Sequence, residues 1–273
     1  MKIHFFDRRV LKKFGTLATW TLAVFSLALS IILPLFDLDL IYSLCIFGVL
    51  IVIHILIYVA LWYYYKKKTS VTIKIRGTTI NIKEGDLFKE KCKKVIGWNE
   101  YFDTQVDDII IAKGSLHGIF IDRYIQDIPA LDNYISEYLS TSKQTMTNRQ
   151  TGKKIRYELG TIVPYEDYLI LAYSRFDKNN RAFLEKEDVA KLYMKMWDEI
   201  DRYKAGNSIS MPVLGSSKIV RGMNYSPQQL LELILWSFRI SGVNMERLAT
   251  INIIVHKTMI KDINFLKLME YSD

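Results

Sequence analysis

The sequence predicts an α/β protein with a pair of membrane-spanning helices at its N-terminus. Two observations carry this prediction. Two long uncharged apolar runs occupy the first quarter of the chain. After them, over roughly 200 residues, short segments rich in β-branched and aromatic residues alternate with amphipathic helical segments. We therefore expect a membrane hairpin over residues 1–69 and one cytosolic domain over residues 70–273.

The two apolar runs are long enough to cross a bilayer. Residues 15–36 and 40–65 contain no charged side chain, and a helix needs about 20 residues to span the hydrocarbon core. Because only Asp37-Leu38-Asp39 joins them, we expect a tight helical hairpin. A cleavable signal peptide is the alternative, but its apolar region usually has about 7–15 residues, and here a second span follows at once.

The charges around the two runs predict the topology. Basic residues lie on their outer sides, at Lys2, Arg8, Arg9, Lys12 and Lys13 and at Lys66, Lys67 and Lys68. The positive-inside rule places both termini in the cytoplasm. These residues also account for most of the net charge of +8, so the lipid bilayer is the expected partner and nucleic acid is not.

Neither cysteine indicates a disulfide framework or a metal site. Cys45 lies in the second apolar run and Cys92 in the cytosolic part, and their spacing is not that of metal ligands. We therefore expect no metal.

The cytosolic part alternates predicted strands with predicted helices. The strand candidates are VTIKIRGTTINI (71–82), VIGW (95–98), DIIIA (108–112), KIRYELGTIV (154–163), YLILAYS (168–174), SISMPVL (208–214) and ATINIIVH (249–256). Apolar residues recur at helical spacing from Val189 to Tyr203, and Ser226 begins a second helix as an N-cap followed by a proline and, at the third helical position, Gln229. A long loop is expected over residues 140–154.

Three loops have the composition of a nucleotide site. Gly85-Asp86 follows a strand, and its carboxylate suits an amino group such as that of adenine. Residues 114–118, with a glycine at each end, favour a nest of backbone N–H groups for phosphate. Residues 215–218 combine small side chains with a lysine, which suits a diphosphate. An ordinary turn is the alternative for each loop taken by itself.

The order of these loops resembles that of the macro domain, over roughly residues 70–260. That family is a three-layer α/β/α module with a mixed sheet that binds ADP-ribose and related nucleotides. By position, the resemblance implies adenine contacts from Asp86 and Leu87, distal ribose and phosphate contacts from Gly114, Ser115, Leu116, His117 and Gly118, and diphosphate contacts from Gly215, Ser216, Ser217 and Lys218.

The chain departs from enzymatic members of that family. They usually carry an Asn-Ala-Ala-Asn-like segment and then three glycines, whereas this chain has IGWNEYFD and then KGSLHG. We therefore expect no catalytic residues. By position, the resemblance implies that Asn99 replaces a family asparagine. It also implies that residues 99–118, which include Phe102 and Asp103, form the distal wall of the pocket.

Four acids in this region suit a cationic or amino-bearing group on the distal ribose, and a solvated face is the alternative. They are Glu100, Asp103, Asp107 and Asp108.

Inside the second span, His54 is either a functional group or a neutral imidazole bonded between packed helices.

The hairpin, the macro-like domain and the wording NEYFDTQVDD…SLHG together resemble the membrane-anchored macro effector of type II Thoeris anti-phage defence. The resemblance implies a non-enzymatic receptor, without cofactor, for an ADP-ribose derivative that a partner TIR-domain protein makes from NAD. Binding would lead to homo-oligomerisation and disruption of the bacterial inner membrane, hence abortive infection.

Two rival functions remain. One is a membrane-tethered ADP-ribosyl hydrolase or NAD-consuming enzyme that uses His117 or Asp103 as acid or base. The other is a membrane scaffold with a vestigial pocket.

Overall fold

A computed structural model describes residues 3–36, 40–204, 206–216, 218–245 and 249–273. The chain divides into two compact units. One consists of Met1–Thr69 and Asn264–Glu270, and the other of Ser70–Ile263 and Tyr271–Asp273.

The first unit contains two long helices, α1 (Arg8–Phe36) and α2 (Leu40–Lys66). By length and composition, Arg8–Ile31 and Ile41–Lys66 are long and apolar enough to cross a membrane. The connection predicted at Asp37-Leu38-Asp39 lies outside the described residues. Near the basic end of the helices, Ile3, Val10, Tyr58 and Leu266 form a buried apolar cluster.

His54 of α2 contacts both helices of the hairpin. Its Nδ1 lies 2.8 Å from the carbonyl oxygen of Leu50, so Nδ1 is the donor of that bond. Its Nε2 lies 3.0 Å from Thr21 Oγ1 on α1. Of the two interpretations of this histidine, the contacts favour the packing one.

The second unit is an α/β domain. Its strands are β1 (Ser70–Ile75), β2 (Thr78–Glu84), β3 (Lys93–Asn99), β4 (Gln144–Met146), β5 (Ile155–Tyr157), β6 (Ile162–Tyr165), β7 (Tyr168–Phe176), β8 (Ala182–Phe183), β9 (Ile209–Pro212) and β10 (Thr250–Val255). Its α-helices are α3 (Leu116–Tyr124), α4 (Ile128–Tyr138), α5 (Lys186–Tyr203) and α6 (Pro227–Ser241). A short helix α7 (Phe265–Leu268) belongs to the first unit.

The main sheet is mixed, with the order β1-β2-β10-β9-β3-β7-β6 and β8 paired to β7. Its central strands β2, β10, β9, β3 and β7 are mutually parallel, while β1 and β6 run antiparallel at the two ends. The prediction of a mixed sheet is therefore confirmed. Helices cover both faces: Ile170 and Ala172 pack with α3 and α4, whereas the next residue, Tyr173, contacts Tyr193 of α5.

Two strand predictions and the loop prediction were wrong. The run 108–112 is a bend with one bridge, because Asp107 and Asp108 accept N–H bonds from Ile109, Ile110 and Lys113. The run 154–163 is two strands, because the chain turns at Gly160, where φ is +87°. The expected loop over residues 140–154 contains β4, which pairs with β5.

The predicted start of α6 is confirmed in detail. Ser226 Oγ accepts from the backbone N–H of Gln229 at 3.2 Å, and Gln229 Oε1 accepts from the N–H of Ser226 at 2.8 Å. The helix ends at Ser241, and Gly242 caps it with a φ of +81°, in the left-handed region. Across the helix layer, Trp197 of α5 donates to Ser237 of α6 at 2.9 Å.

We predict that Ser226→Ala lowers the free energy of unfolding by about 1 kcal/mol, because the N-cap oxygen is lost. Ser226→Thr keeps an oxygen at the same place and should remain within about 0.5 kcal/mol of the parent protein. Denaturant unfolding of the detergent-solubilised full chain, followed by tryptophan fluorescence, measures both. Equal losses in the two variants would show that the cap bond is unimportant.

Candidate nucleotide site

The three loops singled out in the sequence follow parallel strands. Residues 85 and 86 follow β2, the segment 213–218 follows β9, and the long loop 100–115 follows β3. Because β2, β9 and β3 are mutually parallel through β10, these loops leave the same edge of the sheet. Ligands of open α/β sheets bind at this carboxyl edge. The fold thus brings together segments that are far apart in the sequence.

Asp86 lies at the surface of this edge. Its Oδ1 accepts from the backbone N–H of Phe88 at 3.0 Å and caps a 3-10 helix over Leu87–Lys89, while the side chain itself stays exposed. Leu87 is buried beneath it. The N–H of Gly85 donates to Val255 O at 3.1 Å, which fastens this turn to the end of β10.

Asn99 ends β3 with a buried amide. Its Oδ1 accepts from the N–H of Tyr101 at 2.9 Å and from that of Asp103 at 3.4 Å. Its Nδ2 has no hydrogen-bond partner in the described part of the chain. A buried unpaired donor is uncommon. In the same turn, Phe102 is fully buried and has a φ of +51°.

A buried ion pair holds the Asp103 carboxylate. Arg149 Nη1 lies 2.6 Å from Asp103 Oδ2, and the backbone N–H of Lys153 donates to Oδ1 at 2.8 Å. Lys153 Nζ also donates to Phe102 O and to Asp132 Oδ1, each at 2.6 Å. Both Asp103 oxygens are therefore bonded within the protein. The sequence analysis did not single out Arg149, Lys153 or Asp132.

The other three acids of this region are also bonded. Glu100 pairs with Arg175 at 3.1 Å, and Arg175 pairs with Asp188 at 2.7 Å. Burial raises the pKa of Glu100, against the opposing effect of Arg175, whose hydrogen bond lowers the pKa of Asp188. Asp107 and Asp108 accept backbone N–H bonds within their own loop. Glu100 and Asp103 are buried in ion pairs, whereas Asp107 and Asp108 lie at the surface, as the solvated-face alternative expects.

The segment 114–118 forms the N-terminus of α3. Ser115 caps the helix by accepting from the N–H of Gly118 at 3.0 Å. A Cβ at Gly118 would lie 2.4 Å from Ala112 O, so this helical turn requires glycine against the preceding loop. Gly114 is unobstructed, and Leu116 is half-buried against the core. The first-turn N–H groups of such a helix lack intrahelical acceptors and attract anions.

His117 is part of the core beneath this turn. Its ring stacks on Trp98 at a centroid distance of 3.8 Å, and its Nε2 lies 3.0 Å from Asp103 O. Burial is the main cause that lowers the pKa of His117 to about 3, and Lys153 lowers it further. The imidazole is therefore neutral at physiological pH and donates from Nε2 to the carbonyl oxygen.

The loop after β9 turns at Gly215, whose φ is +90°. A Cβ there would lie 2.7 Å from the hydroxyl of Tyr173. Ser216 and Lys218 are exposed at the carboxyl edge, and Ser217 lies outside the described residues.

Comparisons with known proteins agree with this fold. The model of the family "Thoeris protein ThsA, Macro domain" matches residues 80–256. A curated relative, Thoeris protein ThsA of Bacillus amyloliquefaciens (strain Y2), is 35% identical over 271 residues, covering 94% of this chain and 90% of the relative.

Solved structures with some similarity include an Oceanobacillus iheyensis macrodomain with ADP, at 13% identity, a TM-score of 0.46, and coverage of 74% of this chain and 95% of that one. The same macrodomain with MES bound gives 14% identity, a TM-score of 0.46, and coverage of 74% and 96%. Such TM-scores are too low to support conclusions about the site.

The matches define the class of protein as one that carries a macro domain after two long apolar helices. This chain belongs to the Thoeris ThsA macro-domain family. Membership places it in anti-phage defence, with a domain of the type that binds ADP-ribose-like ligands.

We predict that Gly118→Ala lowers the free energy of unfolding by about 1–3 kcal/mol, because the new methyl group meets backbone that has to move. Gly114→Ala is the matched control, since nothing lies within 4 Å of its Cβ. Thermal unfolding of the full chain in detergent compares them. Equal melting temperatures would contradict the tight approach at Gly118.

We predict that the free energy of unfolding of the full chain falls as the pH is lowered below 6.5. An unfolded histidine has a pKa near 6.5, and burial holds that of folded His117 near 3. Below pH 6.5 the unfolded chain therefore binds more protons, and this costs about 2 kcal/mol by pH 5. His117→Gln should remove this loss, and His256→Gln, at an exposed histidine, should retain it. Identical pH profiles would exclude His117 as the cause.

Proposed function

We propose that the chain is a membrane-anchored receptor for an ADP-ribose-derived signal made by a partner TIR-domain protein. Binding drives assembly of several copies, and the gathered hairpins disrupt the bacterial inner membrane and stop the infected cell. The single observation that carries the proposal is the convergence of the loops after β2, β9 and β3 at one carboxyl edge. That edge is where open α/β sheets bind nucleotides.

The edge offers the chemistry that an ADP-ribose skeleton needs. Asp86 uses Oδ1 for its own turn, which leaves Oδ2 for the adenine amino group. The N-terminus of α3 and the exposed Lys218 favour the negative charge of a diphosphate. The unpaired Nδ2 of Asn99 would donate to an oxygen of the distal ribose.

The distal substituent is read by a rigid wall. Phe102 and Asp103 are buried and fixed by Arg149 and Lys153, so they shape the wall while their own polar atoms are bonded. Recognition then falls to the exposed surface of this turn. This assignment replaces the simpler expectation that free acids contact a cationic group.

The membrane role is supported by the first unit. Two helices with the length and apolarity of spans, each flanked by basic residues on the same side, fit a two-span protein with both termini in the cytoplasm. A ligand can drive assembly only by binding the assembled state more tightly than the dispersed one.

The rival enzyme receives little support from the described side chains. A general acid or base has to exchange a proton with a substrate. His117 is buried and stays neutral with a pKa of about 3, and both Asp103 oxygens are bonded to Arg149 or Lys153. The scaffold alternative predicts that no nucleotide binds.

The test is calorimetric titration of the full chain in detergent with ADP-ribose, cyclic ADP-ribose isomers, NAD and amino-acid-substituted ADP-ribose. The full chain is preferable to residues 70–273, because that fragment leaves Leu266 without its cluster with Ile3, Val10 and Tyr58. Tight binding of one compound without turnover supports the receptor. Turnover of a compound would support the enzyme function instead. If none of the compounds bound, the scaffold function would remain.

We predict that Asp86→Ala weakens binding of the preferred compound at least about tenfold, since a hydrogen bond to a charged group contributes on the order of 1.5 kcal/mol or more. It should also abolish signal-dependent toxicity in cells. Glu84→Gln, at an exposed acid two residues earlier, should stay within about twofold. Unchanged binding in Asp86→Ala would remove this carboxylate from the site.

A further inference from the structure

A cavity of about 240 Å³ lies in the first unit, beside the basic end of α1. Its lining has two parts, one from α1 and one from the C-terminal segment. The residues are Arg9, Lys12, Lys13 and Thr16, and Leu266, Met269 and Glu270. All of them belong to the same compact unit.

The lining is positively charged. Arg9 pairs with Glu270 at 2.8 Å and with Asp7 at 3.5 Å. Lys12 and Lys13 form no ion pair or side-chain hydrogen bond with any residue that the structure describes. Because Glu270 and Asp7 compensate Arg9, the excess of positive charge in this concave site comes from Lys12 and Lys13, and it favours an anion.

The apolar part of the lining is fixed by packing. Leu266 is buried in the cluster with Ile3, Val10 and Tyr58, and Met269 packs against that cluster. The cavity therefore presents cations on one side and an apolar surface on the other. An amphipathic anion matches both sides, whereas a small hydrated anion matches only the first.

The cavity also lies where a bilayer would place such an anion. Lys13 is the last charged residue before the uncharged run over 14–36. Basic residues at the cytoplasmic end of a span lie at the depth of the lipid headgroups and attract anionic lipids.

We propose that this cavity binds the phosphate headgroup of an anionic phospholipid from the cytoplasmic leaflet. Lys12 and Lys13 contact the phosphate, and Leu266 and Met269 contact the glycerol and the first methylenes. The proposal rests on the membrane insertion assumed in the proposed function. Because residues 264–270 form one wall, a bound lipid also holds this segment against α1.

The test uses the full chain, purified in a neutral detergent and titrated with phosphatidylglycerol or phosphatidylcholine, with bound lipid counted by native mass spectrometry. We expect phosphatidylglycerol to bind preferentially. Lys12→Gln/Lys13→Gln should weaken it at least about tenfold, because each lysine near an anionic headgroup contributes appreciably. Lys66→Gln/Lys67→Gln removes the same charge from α2, outside the cavity, and should change binding less than about threefold.

A third variant is expected to act in the opposite direction. Glu270→Gln removes the lining carboxylate and one of the two ion pairs of Arg9, so phosphatidylglycerol should bind more tightly, by about threefold. Inorganic phosphate in tenfold excess should not displace the lipid, since it cannot use the apolar wall. Displacement by inorganic phosphate, equal losses in the two double variants, or no preference between the lipids would each overturn the proposal.

The outcome is separable from that of the proposed function. Carbonate extraction of cell membranes reports whether the chain is inserted, and calorimetry on the same sample reports signal binding. An inserted, signal-binding chain without lipid preference would refute the lipid site alone. A chain released by carbonate would refute membrane insertion and the lipid site together.

Discussion

The candidate site depends on the common direction of the five central strands. Because β2, β10, β9, β3 and β7 are parallel, every loop that follows them emerges at one edge. The sheet order then places the end of β2 two strands from the end of β9, although more than a hundred residues separate them in the chain. The antiparallel strands β1 and β6 lie on either side of these five strands, so they do not interrupt the row of parallel strand ends.

Parallel strands gather the loops but do not give them shape, and the loop after β3 needs further support. This loop carries four acids in a stretch of nine residues, and they would repel one another if they were unpaired. Each is bonded instead, and the deepest bond joins Asp103 to Arg149, whose side chains are 2% and 7% exposed. Removing one partner of such a buried pair costs on the order of 3–5 kcal/mol. The turn after β3 is thus held by contacts within the protein, and under the proposed function this order would lower the entropic cost of binding.

Local signals made much of this architecture predictable. The uncharged runs, the Ser226 cap and the Gly85-Asp86 turn each depend on residues close together in sequence. The ion pair that holds Asp103 in the loop after β3 was not predictable. Its partner Arg149 lies 46 residues from Asp103 and resembles any basic residue of a polar stretch. The run 108–112 misled for a related reason: its composition favours a strand, but Asp107 and Asp108 bond the backbone N–H groups that a strand would need.

The path of the chain bears on how a signal would reach the helices. The chain passes between the two units after Thr69, after Ile263 and after Glu270. The last two passages bound a seven-residue segment whose Leu266 is buried with the hairpin, and three residues later Asp273 donates to Lys74 O of β1 at 2.9 Å. Moving an equilibrium from 1:99 to 99:1 requires about 5.5 kcal/mol of differential binding. A single flexible tether would dissipate much of any ordering that the ligand imposes. Under the proposed function, the chain offers three covalent passages rather than one along which binding could act on the helices.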